Sequence, residues 1–573
     1  MTGLEGGTYS AARRGRLTGL WLLPGLWLCG GLLFVFPQHG GTGTELPQNL
    51  LAWSVMAGMV MCAVLCTPRG EMTLPAGSLM TGAGLLLWSL PLLWSWYPDW
   101  FMNALPRVAG LWGLAALYCL LLRAMPGTQV RRYWLMILVL AALLQAGAAL
   151  KQAVHPELLT GGRPVGGFMQ VNVLSSFLAT GLACALALCF RDRGPGTRLL
   201  TGIALGVLPA MLVLLQSRAG WLGGLTAALI LLWVNRDETG APGCRPSRRA
   251  AALMLLSVVA GLLWLCAGHR LFPGSGLSPV GKEGSTASRL YLLDLTWQLI
   301  SAHPIIGNGY GSFEALFGRL AQGIPPGLEA DTVTHPHNEL LYAWVEGGLT
   351  AVAGLLLMVL AVLRRLWGPG GTRLTGLALL LPLALHVNLE YPLDMSVSHS
   401  LTLVLLLVIA GPDAAPAPRV TFTSGGSVPA VQGLSALIRW LPALPAAGVL
   451  FFMLSGLVTH QRLMAVERAG LIPLADNEAA VLASLPNPYS LHTRIEFDRH
   501  VALLLRYNRT RDPSLLVLFQ QWAQNYLQTH NDPQVYLSLL RIARAQQNGY
   551  ADTLCRQAHG RWPARPEFVG CQR

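Results

Sequence analysis

The chain has 573 residues, of which 53% are hydrophobic and only 12% charged, and its formal net charge at pH 7 is +13. The mean hydropathy is +0.48. This balance excludes an ordinary soluble protein and indicates a polytopic membrane protein. The basic residues are spread over short connections and a polar tail, which argues against nucleic-acid binding and favours contact with anionic membrane lipids.

Apolar segments of about 18 to 25 residues, long enough to cross a bilayer, recur about thirteen times. The first is too long, and too poorly followed by a cleavage site, to be a removable signal peptide. The predicted fold class is therefore an all-α polytopic membrane protein with about 13 transmembrane helices. We expect these helices at residues 17–36, 50–66, 74–96, 104–122, 133–150, 167–190, 199–215, 219–234, 250–267, 338–363, 374–389, 395–411 and 433–459.

The arginines predict the orientation of the chain, because basic residues in short connections are held on the cytoplasmic side during insertion. Arg13, Arg14 and Arg16 precede the first segment and place the N-terminus in the cytoplasm. Alternation from there puts most loop arginines on the same side. It also puts two polar stretches, one before Asn338 and one after His460, on the opposite side.

These features divide the chain into four regions. Residues 1–267 hold transmembrane helices 1–9, and residues 268–337 form a large external loop. Residues 338–459 hold helices 10–13, with a Pro/Gly/Ser-rich linker at 411–433, and residues 460–573 form a small helical domain.

One amphipathic helix is predicted within the external loop, in the stretch "GSTASRLYLLDLTWQLISAHP". Its expected apolar face consists of Leu290, Leu293, Trp297 and Ile300. Such a helix is suited to lie along the membrane surface.

Cysteine usage fits this topology. Only Cys555 and Cys571 lie in the external tail, whereas the others lie in apolar segments or in a cytoplasmic connection. We predict a disulfide between these two, with a pair of unlinked thiols as the alternative.

Polar side chains collect at the predicted outer helix ends instead of forming a relay down the bundle. This distribution argues against an ion-coupled transporter and indicates a site at the outer membrane surface. The candidate residues are Arg163, Gln170, Asn172, Arg218, Arg289, His337 and Glu346.

His337 admits three interpretations: a capping or hydrogen-bonding residue, a metal ligand together with His335, or a general base. The metal interpretation is weak because the spacing places no third ligand, and we expect no metal or other cofactor. Pro336 is expected in the first helical turn. Glu346, at bilayer level, must be paired, protonated or facing a wet cavity.

Arg218 occupies a tight outward turn, and its guanidinium suits phosphate oxygens. The alternative is an arginine that extends to lipid headgroups. Arg289, on the amphipathic helix, has the same two interpretations.

Five separated stretches are informative when taken together: "RPVGGFMQVNVLSSFLATG", "LLQSRAGWLGG", "SRLYLLDLTWQLISAHPIIGNGYGSF", "HPHNELLYAWVEGGL" and "EYPL". In order and spacing they resemble the O-antigen ligase and polymerase (Wzy/WaaL) superfamily, and within it the PglL-type protein O-oligosaccharyltransferases that glycosylate pilins. Gly167 and Val171 stand where the usual block of that subfamily has Asn and Pro.

The resemblance implies a GT-C-like fold in the bacterial inner membrane, with the external loop and the C-terminus in the periplasm. It also implies an inverting, metal-independent transfer of a glycan from an undecaprenyl-diphosphate carrier to a Ser/Thr hydroxyl of a pilin-like protein. His337 would be the catalytic base, and the arginines would stabilise the diphosphate. Gln170 and Asn172 would position sugar or phosphate.

Two alternatives stay open. An O-antigen ligase with a lipid A core acceptor, or a polymerase, would use the same fold and chemistry. A lipid-linked sugar flippase belongs to another class and should carry its site near the middle of the bilayer.

Overall fold

A computed structural model describes most of the chain. The N-terminal arginines Arg13, Arg14 and Arg16, and most of the predicted linker from 411 to 433, lie outside the described residues. Nearly all of the described part with regular structure is helical. One antiparallel pairing joins two-residue strands, β1 (Thr73–Leu74) and β2 (Val420–Thr421). The described residues are 18–66, 73–74, 77–124, 127–192, 194–236, 246–271, 277, 283–324, 333–367, 370–411, 420–421, 440–547 and 549–571.

The helices are numbered in chain order. The first fifteen are α1 Thr18–Leu33, α2 Pro47–Cys66, α3 Ser78–Ser89, α4 Pro98–Ala124, α5 Thr128–Val154, α6 Val171–Arg191, α7 Pro195–Leu215, α8 Arg218–Val234, α9 Pro246–Leu271, α10 Glu283–Ala302, α11 Phe313–Leu320, α12 Glu339–Arg365, α13 Gly370–His386, α14 Pro392–Met395 and α15 Val397–Ala410. The remaining helices are α16 Ala443–Arg468, α17 Ile472–Asp476, α18 Glu478–Ser484, α19 His492–Thr510, α20 Pro513–Thr529, α21 Pro533–Ala545, α22 Tyr550–Arg561 and α23 Pro566–Val569.

Each predicted apolar segment coincides with an apolar helix, which confirms the all-α polytopic fold class. Within the described residues, 8 helices are long and apolar enough to cross a bilayer, and the other apolar helices (α1, α3, α8, α13 and α15) have 10–17 residues. A short helix is tolerated at membrane depth where surrounding protein satisfies its terminal polar groups. Burial of nearly every residue of α15 fits this explanation.

The first of two compact units comprises Met1–Gly82, Trp112–Val280 and Val359–Leu454. Helix α6 is at its centre, with 94% of its apolar window buried, and packs against α5, α7, α8 and α13. Glycine permits close helix approaches in this unit. A Cβ at Gly220 of α8 would lie 1.8 Å from Ser175 Oγ of α6, and a Cβ at Gly223 of α8 would lie 2.9 Å from Pro382 Cα of α13.

The glycine-rich loop before α6 is held by two glutamines of α5. Gln152 Oε1 accepts hydrogen bonds from the backbone N–H groups of Val165 and Gly166, each at 2.8 Å. Gln145 Oε1 accepts from Gly167 N–H at 2.7 Å. Because these side chains satisfy the buried loop backbone, the loop delivers the start of α6 in a fixed position.

The second unit comprises Ala83–Leu111, Gly281–Met358 and Ser455–Arg573. In it, α10 and α11 of the external loop share one hydrophobic core with α20, α21 and α22 of the tail. Phe313, Phe317, Phe519 and Trp562 are each 1% exposed in this core. Backbone bonds from Ile324 N–H to Arg561 O and from Gly323 N–H to Gly560 O also join loop and tail.

Helix α10 is apolar on two faces. The face buried in the shared core carries Leu292, Leu295, Leu299 and Ile300. Three of the four residues predicted for the apolar face are instead exposed: Leu290 by 63%, Leu293 by 41% and Trp297 by 56%. The spacing of apolar residues in the sequence thus identified mainly the face of α10 that the tail does not cover. The exposed residues on that face, Leu290, Leu293 and Trp297, are those predicted to contact the membrane surface.

Cys555 and Cys571 form a disulfide in the tail, and both residues are buried. The bond connects α22 to the end of the chain after α23, where Arg544 Nη2 donates to Cys555 Sγ at 2.8 Å. The disulfide closes a short loop and thereby restricts the segment between the two cysteines.

We expect the stability of the tail to fall as the pH rises, because of Asp498. Burial, together with the neighbouring Glu467 carboxylate, raises the pKa of Asp498 to about 8, although Arg494 opposes the rise. A raised pKa in the folded state gives stability that is complete below the unfolded-state pKa and is lost as the pH rises through the folded value. Asp498→Asn keeps a donor toward Glu467 without needing a proton. Near pH 4 this variant should unfold at the same temperature as wild type. As the pH rises to about 8, its unfolding temperature should exceed that of wild type by a growing margin.

Thermal unfolding of the full chain in detergent across this range measures the effect. The exposed Asp552 offers a matched control as Asp552→Asn, which should follow wild type at every pH. A constant difference between Asp498→Asn and wild type from pH 4 to 8 would contradict the assignment.

Candidate functional site

The structure places three of the predicted polar residues at or just before helix starts. Gln170 is the N-cap of α6, Arg218 is the first residue of α8, and His337 lies two residues before α12. Arg289 lies within α10 and is half-buried. Gln170, Asn172, Arg163 and Arg218 belong to the first compact unit, and Arg289, His337 and Glu346 to the second.

In the first unit, two predicted amides converge on one buried carboxylate. Gln170 Nε2 donates to Glu390 Oε2 at 2.8 Å, and Asn172 Nδ2 donates to Glu390 Oε1 at 2.7 Å. Glu390, the first residue of the "EYPL" stretch, is 2% exposed. Each carboxylate oxygen thus accepts from a neutral donor, an arrangement that keeps a buried carboxylate hydrogen-bonded.

The same network reaches the start of α8. Ser217 Oγ donates to Asn172 Oδ1 at 2.7 Å, and Ser217 is the N-cap residue of α8. Arg218 follows immediately, with an exposed side chain. The loop before α6, the turn before α8 and the Glu390 segment are therefore joined by one polar network.

Arg163 lies in the glycine-rich loop and is half-buried. Burial lowers the pKa of its guanidinium, and the negative charge of Glu390 opposes that shift. The residue remains charged at neutral pH, since arginine starts from a very high pKa. Glu390 therefore interacts electrostatically with Arg163 and accepts hydrogen bonds from Gln170 and Asn172.

A second buried polar cluster lies in the same unit. Ser176 Oγ is 2.7 Å from His386 Nδ1 and 3.1 Å from His399 Nε2, and all three residues are fully buried. His399 Nε2 also lies 3.1 Å from the carbonyl of Val173. Ser176 is four residues after Asn172, and His386 is four residues before Glu390, so the cluster adjoins the amide and carboxylate network along both chain segments.

In the second unit, His337 has a left-handed backbone with φ of 57°. Helix α12 begins only at Glu339, and Asn338 caps it by accepting a hydrogen bond from Leu341 N–H at 2.9 Å. Pro336 precedes the cap, so its predicted place in the first helical turn is wrong. Asn338, not His337, caps the helix, because its short side chain reaches a first-turn N–H directly.

His335 is buried beside His337. Its Nδ1 accepts a hydrogen bond from the backbone N–H of His337 at 2.9 Å, and its Nε2 lies 3.4 Å from Glu339 Oε1. Its ring packs against Tyr342 in a T-shaped contact at 4.4 Å. Because Nδ1 is occupied as an acceptor, only Nε2 of His335 could serve as a metal ligand.

The partner of Glu346 is Arg107 of α4. The two side chains form an ion pair, and Glu346 is fully buried. Glu346 Oε1 also accepts from Phe313 N–H at 3.1 Å. The guanidinium of Arg107 lies 4.1 Å from the ring centre of Tyr342 and 5.2 Å from that of Tyr310, so aromatic faces add to its stabilisation.

Helix α12 is kinked directly after this ion pair. Gly348 has φ of 62° and is non-helical, which disturbs the helical bonding of the preceding carbonyls. The "IIGNGYGSF" loop supplies replacement donors: Asn308 N–H binds Val345 O and Gly309 N–H binds Glu346 O. A Cβ at Gly307 would lie 2.3 Å from Glu346 O, which explains why glycine is needed there.

Sequence reasoning left two of these residues without a role, Arg107 and Glu390. Each carried a usable signal, because an ionisable residue in or beside an apolar segment usually has a buried partner or a function. Their partners lie 239 and 220 positions away along the chain, and spacing cannot identify partners at such separations.

The apolar helices and the buried polar networks at their ends define a polytopic membrane protein. Residues 201–358 match the family model described as O-antigen ligase. The matched segment contains Arg218, Arg289, His337 and Glu346. It supports the superfamily, with glycosyl transfer of the ligase and polymerase kind and a lipid-linked glycan as partner. No curated protein matches the chain.

Proposed function

We propose that this protein transfers an oligosaccharide en bloc from an undecaprenyl-diphosphate carrier to a serine or threonine hydroxyl of a periplasmic protein such as a pilin. The observation that carries the proposal is the setting of His337. It lies inside the segment that matches the O-antigen ligase family, and its backbone is held in a left-handed conformation. Strained backbone that persists in a folded protein is concentrated at functional sites.

His337 is the general base of this reaction. Its imidazole accepts the proton of the acceptor hydroxyl, whose oxygen then forms the new bond to the anomeric carbon. The bond between that carbon and the diphosphate oxygen breaks, and its electron pair leaves with the lipid diphosphate. Attack from the face opposite the leaving group inverts the anomeric configuration, and no metal is required.

Arg218 and Arg289 stabilise the diphosphate as it gains negative charge. Arg218 presents an exposed guanidinium at the start of α8, where the partial positive charge of the helix end adds to its own. Arg163 contributes further positive charge beside Glu390. A planar guanidinium can bind two phosphate oxygens at once, which a lysine cannot do.

Gln170 and Asn172, which are held in place by Glu390, position the glycan or its phosphate. Each uses one amide donor on Glu390. The side-chain oxygen of Gln170 is buried and has no hydrogen-bond partner among the described residues, so it can accept from a sugar hydroxyl. Glu346 contributes indirectly, since its carboxylate is occupied by Arg107 and Phe313.

The proposed location is the bacterial inner membrane, with the N-terminus in the cytoplasm and the loop and tail in the periplasm. The disulfide between Cys555 and Cys571 supports the periplasmic side, because disulfides persist in oxidising compartments. The shared core of loop and tail further supports placing both on the same side of the membrane.

Intact-mass analysis of a pilin tests the proposal. The chain is co-expressed with the pilin and a lipid-linked glycan in a host that lacks its own ligase. Wild type should add the mass of one complete oligosaccharide, whereas an empty vector should add none. An unmodified pilin with wild-type protein present in the membrane would overturn the protein acceptor.

An O-antigen ligase with a lipid A core acceptor is the second candidate, and the description of the matched family favours it. The same cells distinguish it, because its product is glycan-capped lipopolysaccharide beside an unmodified pilin. A flippase would instead move lipid-linked glycan and leave both acceptors unmodified.

A further inference from the structure

The backbone of His337 adopts a conformation that an L-residue with a side chain adopts only at a cost. The left-handed region disfavours residues other than glycine, because Cβ approaches the following carbonyl, although asparagine, aspartate and histidine enter it more often than other residues. His337 nevertheless has φ of 57°. Some neighbouring group must compensate for this cost.

His335 provides the compensation. Its Nδ1 accepts the His337 backbone N–H at 2.9 Å, which closes a local turn around Pro336. Acceptance requires that Nδ1 carry no hydrogen, so the neutral ring bears its hydrogen on Nε2, the nitrogen 3.4 Å from Glu339 Oε1. The same contacts therefore set the tautomer of His335 and the backbone of His337.

The ring of His335 is itself held in place. It is 4% exposed and packs on Tyr342 at 4.4 Å. Tyr342 lies under the guanidinium of Arg107, which pairs with the buried Glu346. On the other side of His337, Asn338 is fixed as the cap of α12. His337 is thus held between two anchored residues while its own side chain remains half-buried.

We propose that His335 is a positioning residue for glycan transfer: its Nδ1 holds the His337 backbone in the left-handed conformation that aims the His337 imidazole at the acceptor hydroxyl. The inference rests on the proposed role of His337 as base. His335 touches no reacting atom, so its loss should slow the chemical step and leave donor binding unchanged.

Two substitutions at His335 distinguish the effect of its hydrogen-bond acceptor, Nδ1, from the effect of the size of its ring. Asn places a carbonyl oxygen on Cγ, where histidine has Nδ1, and so keeps the acceptor. Leu has a similar branch at Cγ but no acceptor. We expect His335→Leu to lower kcat roughly 10- to 100-fold with an unchanged KM for the lipid-linked donor, since small misplacements of a reacting group cost about that much. His335→Asn should restore kcat to within about threefold of wild type.

Monodisperse elution and thermal unfolding confirm that each variant is folded, and His337→Ala is assayed alongside. A folded His335→Asn as slow as His335→Leu would overturn the positioning role, as would a His335→Leu variant with wild-type kcat. If His335→Leu does not fold, His335→Asn alone decides, because the proposal requires it to be active. Activity in His337→Ala would instead refute the base, which distinguishes failure of the proposed function from failure of this inference.

Discussion

His337→Asn is expected to abolish glycan transfer while leaving the protein folded. General-base catalysis contributes roughly 100- to 10,000-fold to a rate, and asparagine cannot accept the proton of a hydroxyl at neutral pH. Asparagine is the informative replacement because it tolerates the left-handed backbone seen at this position, where φ is 57°. The variant therefore removes the imidazole without disturbing the turn that carries it.

Transfer to pilin, followed by intact mass in a time course, measures this loss. His492→Ala is the matched control, because it removes an exposed histidine from α19 in the tail and should leave the rate unchanged. His337→Ala should be as inactive as His337→Asn. A rate in His337→Asn within a factor of about ten of wild type would contradict the assignment of the base, since so small an effect is below the range of general-base catalysis.

Arg107→Ala is expected to destabilise the protein by about 3 to 5 kcal/mol, the cost of leaving a buried charge without its partner. Glu346 is fully buried and, among the residues that the structure describes, would keep only the Phe313 N–H as a donor. Glu346→Gln should cost less, because the remaining guanidinium still faces the rings of Tyr342 and Tyr310.

Thermal unfolding in one detergent compares these variants with the double replacement Arg107→Met/Glu346→Gln. The double variant should be more stable than Arg107→Ala alone, because neither charge is left unpaired. Arg319→Ala, which removes an exposed arginine from α11 of the same unit, should have little effect. If Arg107→Ala unfolds at the wild-type temperature, the ion pair does not stabilise the fold.

The tail gives the clearest case of an organisation that the sequence did not reveal. The sequence predicts a small helical domain over residues 460–573, and α20, α21 and α22 lie within that range. That their core includes Phe313 and Phe317 of the external loop could not be predicted, because hydrophobic burial is non-directional and any apolar face could have covered any other. For the same reason, periodicity gave α10 an apolar face but not the one that the tail covers.

The sequence by itself determined the membrane class and the positions of the apolar helices. These are local properties, because a segment's length, hydropathy and capping residues act within one or two turns of the chain. Only the tertiary structure decided which polar groups meet: Arg107 with Glu346, and Gln170 and Asn172 with Glu390. Buried polar groups must find partners, yet this requirement does not say where along the chain those partners lie, and packing alone selects them.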